Sequence, residues 1–141
     1  MANQIAILFF ACLFIGISAQ SVTPQTNTAT GTEALQSNTS GFENTATGYR
    51  ALWKNTVGTY NSAHGAKALS LHTRGSGNTA VGHSALEIAT EGDYNTAIGY
   101  GAMKSNRGGF NAAVGVGALV ANGGNSTALG YGAMEEVVLI P

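Results

Sequence analysis

The sequence predicts an all-β chain, a parallel β-roll or β-solenoid of about seven coils, each 15–17 residues long. Three observations carry the prediction. A nine-residue motif, Asn-(Thr/Ser/Ala)-Ala-x-Gly-x-x-Ala-(Leu/Met), recurs seven times, with Ser opening the last copy. Each repeat carries two or more glycines, which would each cost about 1 kcal/mol inside a helix, and most open on Asn-Thr, a pair that favours caps and turns. The apolar columns also stay in register from copy to copy, which a solvated Gly/Ser/Asn/Thr linker has no reason to do.

The copies read NTATGTEAL from Asn27, NTATGYRAL from Asn44, NSAHGAKAL from Asn61, NTAVGHSAL from Asn78, NTAIGYGAM from Asn95, NAAVGVGAL from Asn111 and STALGYGAM from Ser126. The first five begin 17 residues apart, and the spacing then shortens to 16 and 15. Such segments are too short and too interrupted for a helical stripe; they suit one or two short strands with a bend, at Gly82 in the fourth copy. Stacked through parallel backbone hydrogen bonds at about 4.8 Å per coil, seven coils would make a rod of roughly 35 Å. Each column would then form a ladder. Gly31, Gly48, Gly65, Gly82, Gly99, Gly115 and Gly130 would fill tight places, and Leu35, Leu52, Leu69, Leu86, Met103, Leu119 and Met134 would supply bulk. Asn27, Asn44, Asn61, Asn78, Asn95 and Asn111 would bond turn backbone and one another. A second glycine column (Gly41, Gly58, Gly75, Gly92, Gly108, Gly123) marks either a left-handed turn or a close backbone approach.

Composition removes some functions. Six Lys+Arg against seven Asp+Glu give a net charge of −1, with 9% charged residues, so no basic face exists to neutralise phosphates and a nucleic-acid partner is not expected. Residues 1–19 contain the apolar run Ile5 to Ile17, followed by Ser18-Ala19, and read as a secretory signal peptide; an uncleaved anchor is the alternative, since no Lys or Arg precedes the run. Cys12, the only cysteine, lies in that run, so the mature chain is expected to have no disulfide and no membrane anchor. Residues 20–26 read as a spacer, 27–134 as the repeats, and 135–141 as a tail that is either a crude cap or the start of something further.

The pattern Gly-x-x-Asn-Thr-Ala-x-Gly-x-x-Ala-Leu-x-x-Asn-Thr, intact from Gly41 to Thr56, resembles the head repeats of YadA-like trimeric autotransporter adhesins. Similar repeats occur in bacterial secreted and phage tail-fibre proteins, and the resemblance covers Asn27 to Met134. It implies a left-handed parallel β-roll, a homotrimer, and attachment to extracellular matrix or a cell surface. The coiled-coil stalk and outer-membrane anchor of such adhesins have no counterpart after Met134, which leaves open a freestanding head, a fragment, or a repeat from another lineage.

A search for chemistry returns little. His64, His72 and His83 lack the cysteines or carboxylates that would complete a metal site, and read as solvated or packed. The stretch Gly115-Val116-Gly117 starts like a dinucleotide loop but has Val120 where its third glycine should stand. Asp93 is the only Asp, which excludes a calcium-binding nonapeptide roll. No cofactor and no enzymatic activity are expected. Thr28, Thr45, Ser62, Thr79, Thr96 and Thr127 form a possible surface ladder, interrupted by Ala112; ice binding is the alternative function it suggests, beside a purely structural role. Because coils lined by Ala and Gly enclose a thin core, either the Leu/Met ladder or Tyr49, Tyr100 and Tyr131 would be buried against neighbouring chains. The sequence therefore reads as a secreted or cell-surface adhesin-like head.

Overall fold

The computed structural model describes residues 26–119 and 124–134; the segment read as a signal peptide, nearly all of the spacer, Cys12, Val120, Gly123 and the tail lie outside them. Seven three-residue strands follow in order: β1 (Thr28–Thr30), β2 (Thr45–Thr47), β3 (Ser62–His64), β4 (Thr79–Val81), β5 (Thr96–Ile98), β6 (Ala112–Val114) and β7 (Thr127–Leu129). They form one parallel sheet in sequence order, each strand pairing only with the same motif positions of the next coil. The chain is thus a β-solenoid of about six turns. Register survives the shortened repeats, since Thr96 pairs with Ala112 and Ala112 with Thr127.

Further walls of backbone hydrogen bonds tie the coils together. Along the Leu/Met column, Leu35, Leu52, Leu69, Leu86, Met103 and Leu119 each donate an N–H to an Ala carbonyl of the following coil, at 2.8–3.0 Å. On another side Thr56 and Thr73 donate to Thr73 and Thr90. Three-residue strands would be marginal alone, and repetition of these bonds in every coil supplies what length does not.

The core is a stack of small and large columns. Ala46, Ala63, Ala80, Ala97 and Ala113 point inward from the strands and are fully buried, as are Ala51, Ala68, Ala85, Ala102 and Ala118. Leu52, Leu69, Leu86, Met103 and Leu119 fill the space between them at 0% exposure, with Leu35 half-buried and Met134 exposed in the terminal coils. The Leu/Met ladder therefore closes each chain's own core, and of the two groups expected to seek a neighbour only the tyrosines remain outside.

This inward aim requires an unusual backbone. Leu52, Leu69, Leu86 and Met103 have φ of 51–53°, the left-handed region, which costs a branched or bulky residue about 1–2 kcal/mol. Burying the side chain returns about 1.5–3 kcal/mol, so burial wins and the corner is held.

Candidate functional site

The motif asparagines stack into a ladder that uses both ends of the side-chain amide. The first five asparagines each donate from Nδ2 to a corner glycine carbonyl: Asn27 to Gly41, Asn44 to Gly58, Asn61 to Gly75, Asn78 to Gly92 and Asn95 to Gly108, at 2.8–3.0 Å. Each Oδ1 accepts the backbone N–H of the next motif position, from Asn44, Asn61, Asn78, Asn95, Asn111 and finally Ser126, at 2.8–3.1 Å. One side chain thus satisfies a donor and an acceptor of the backbone where the chain turns. The glycines of the second column give those amides access: a Cβ at Gly58 would stand 2.5 Å from the Gly75 carbonyl oxygen and press on Asn55. Close approach is shared by Gly41, Gly58, Gly75 and Gly92, and among the described glycines of this column only Gly92 is left-handed.

A second polar ladder was missed in the sequence. Eleven residues after the first five motif asparagines stand Asn38, Asn55, His72, Ala89 and Asn106. Asn55 Nδ2 donates to Asn38 Oδ1 at 2.9 Å. Beside this column Thr39, Thr56 and Thr73 each donate a hydroxyl to the backbone carbonyl of the Thr one coil on, at 2.8–3.0 Å. The Asn-Thr pair recurring in the same self-alignment was the available signal. His72 and Ala89 interrupt the column, and Asn55 Oδ1 is buried with no donor. The double variant H72N/A89N, which extends the column unbroken from Asn38 to Asn106, is expected to stabilise the fold by about 1–2 kcal/mol, since it gives that acceptor a donor and adds Asn–Asn bonds. A higher denaturation midpoint in urea at neutral pH checks it.

Of the three histidines, His64 and His83 are exposed and His72 is 1% exposed. Burial holds the His72 imidazole below its ordinary value of 6.5, against the opposing effects of its bond to Ala89, the Gly75 carbonyl and the Asp93 carboxylate. Among the described residues no three His, Cys, Asp or Glu side chains group as metal ligands.

What remains exposed is the outer face of the sheet. Because strand residues alternate, the Thr column (Thr28, Thr45, Ser62, Thr79, Thr96, Thr127) points outward, at intermediate to full exposure. The strand position two residues on points outward too: Thr30, Thr47, His64, then Val81, Ile98, Val114 and Leu129. The sequence reading passed over this column, which turns aliphatic along the rod. Past the bend glycine comes the tyrosine column, Tyr49, Tyr100 and Tyr131, with His83 stacked on Tyr100 at 5.3 Å. Exposure reaches 62% at Tyr100, 77% at Leu129 and 88% at Tyr131. Beside it a groove of about 250 Å³ is floored by Gly101, Gly117 and Gly132 and walled by Tyr100, Tyr131 and Lys104. At another corner Tyr60, Tyr94 and Phe110 are exposed, Tyr94 stacking on Phe110 at 5.4 Å.

The charged residues are scattered. Arg50 pairs with Glu33 of the preceding coil and lies over Tyr49 and Trp53, while Glu87 sits between Lys67 and Lys104 at 3.8 and 3.5 Å. These partly exposed pairs contribute little to stability. No protein-family model, curated protein or solved structure matches the chain.

Proposed function

We propose that the protein is a secreted or cell-surface, non-enzymatic adhesin-like head that assembles as a homotrimer and attaches to extracellular matrix or another cell surface. One observation carries this reading: Val81, Ile98, Val114 and Leu129, with Tyr100 and Tyr131 beside them, form a continuous exposed apolar surface. Patches of this kind on soluble chains mark interaction sites. Since the Leu/Met ladder already closes the core of a single chain, this surface is free to meet another chain or a ligand. The motif's resemblance to adhesin head repeats points to three chains sharing it.

Sedimentation equilibrium on the secreted chain tests the assembly, and the expected species has three times the chain mass. The double variant I98K/V114K should fold yet sediment as a monomer, because it sets charges in the middle of the shared surface. A folded wild-type monomer would refute the trimer. Attachment is tested separately, by retention on collagen, laminin and whole cells.

A second reading rests on Thr28, Thr30, Thr45 and Thr47, which form a two-by-two outward array in β1 and β2 and could order water as an ice-binding surface does. The aliphatic residues that follow from β4 onward confine that array to two coils. Absence of a thermal hysteresis gap at high protein concentration would remove it.

A further inference from the structure

We propose that His72 makes the junction between the third and fourth coils an acid-sensitive joint, at which the rod opens locally when the imidazole takes up a second proton. The ring's surroundings carry the argument. Nδ1 lies 2.7 Å from the Ala89 carbonyl oxygen, which can only accept, so Nδ1 holds the proton of the neutral ring. Nε2 then offers its lone pair to Asn78 Nδ2 at 3.2 Å. Both nitrogens are satisfied in that state, with the ring 1% exposed. Protonation at Nε2 turns an acceptor into a donor opposite the Asn78 amide, which is itself bound to Gly92 and Asn61.

The groups adjacent to the ring compensate a buried positive charge only in part, and burial outweighs them. The same column of the second coil holds Asn55, His72's own coil offers the Gly75 carbonyl, and the fourth coil supplies Asn78 and Ala89, all uncharged. The one carboxylate acting on the ring, Asp93, already accepts the Ser76 N–H at 2.8 Å. Arg74 and Glu91, on the neighbouring loops, are exposed. The junction is also where the second polar ladder is broken, so the strand pairing of β3 with β4 and the backbone bonds from Leu69, Leu71 and Thr73 to Ala85, Glu87 and Thr90 hold it without that support.

The sign follows from linkage. In the closed rod His72 binds its second proton less readily than in the opened one, where it titrates near 6.5. The joint is at full strength above that pH. As pH falls from 6.5 toward the closed-state value, the opening equilibrium rises about tenfold per pH unit, and it levels off below that value.

Hydrogen exchange on the full chain at about pH 7.5 and about pH 5, corrected for intrinsic exchange rates, provides the test. Amides of residues 69–90 are expected to lose protection about tenfold at the lower pH, more than those of the first and last described coils. In H72N the acid loss should vanish, and this variant is expected to fold because Asn38 and Asn55 occupy the same column. The double variant H64N/H83N should keep the acid loss, which separates His72 from the exposed histidines. Equal protection of residues 69–90 at both pH values in the wild type, or an acid loss of the same size in H72N, would overturn the proposal.

Discussion

Replacing Gly82 by alanine is expected to cost about 4 kcal/mol or more, a large share of the 5–15 kcal/mol that a domain ordinarily holds. Two independent effects add. Gly82 has φ of 130°, a conformation that L side chains rarely adopt, and a Cβ there would stand 2.5 Å from the carbonyl oxygen of Gly99 and 2.7 Å from its carbon. The obstacle is backbone of the next coil, so no rotamer change relieves it. Gly101 supplies the control. Its φ of 64° matches that of Lys67 (60°) and Ser84 (58°) in the same column, and a Cβ there meets nothing within 4 Å. Alanine at Gly101 should therefore change stability by less than about 1 kcal/mol. Urea denaturation of the two variants decides it; similar midpoints would mean that Gly82 is not set by the packing of the coils.

Removing a central rung of the asparagine ladder should be nearly as damaging. Asn78→Ala is expected to destabilise by about 3–5 kcal/mol, because it strips the acceptor from the Asn95 N–H and a donor from the Gly92 carbonyl, at 1–3 kcal/mol for each buried group left unmet. It also removes the donor from His72 Nε2. Asn27→Ala, at the half-buried first rung, should cost about 1 kcal/mol, since water can replace part of what is lost. Calorimetry of both variants would show a wide gap between their transition temperatures; equal shifts would make the ladder a packing column and not a hydrogen-bonding one.

Much of the architecture was legible because coil stacking converts sequence period directly into spatial column. The inward Ala of each strand, the bend glycine and the asparagine needed only to be aligned with themselves. The orientation of the Leu/Met column was not legible. A leucine at φ near 52° is a local exception, and sequence patterns that assume ordinary backbone geometry give no reason to turn it inward. The second polar ladder was obscured by its own irregularity, since Asn38, Asn55 and Asn106 share their column with His72 and Ala89. The outer face was half-legible: the Thr column repeats, whereas Val81, Ile98, Val114 and Leu129 occupy a position that holds Thr and His in the earlier coils. A surface that differs from coil to coil leaves no periodic trace, and a surface that binds something has reason to differ.

The shortening from 17 to 16 residues in the fifth coil fixes where this architecture tolerates a change of length. Asn95 reaches the Gly108 carbonyl across 13 residues, where Asn44, Asn61 and Asn78 reach theirs across 14, yet the bond remains at 3.0 Å and β5 still pairs in register with β6. The residue dispensed with is the one between Asn106-Arg107 and the corner glycine, at the position held elsewhere by Ser40, Val57, Arg74 and Glu91, all exposed. That outer corner is an expansion joint: peptide can be taken out there, and by the same geometry spliced in, while the columns on either side keep their alignment.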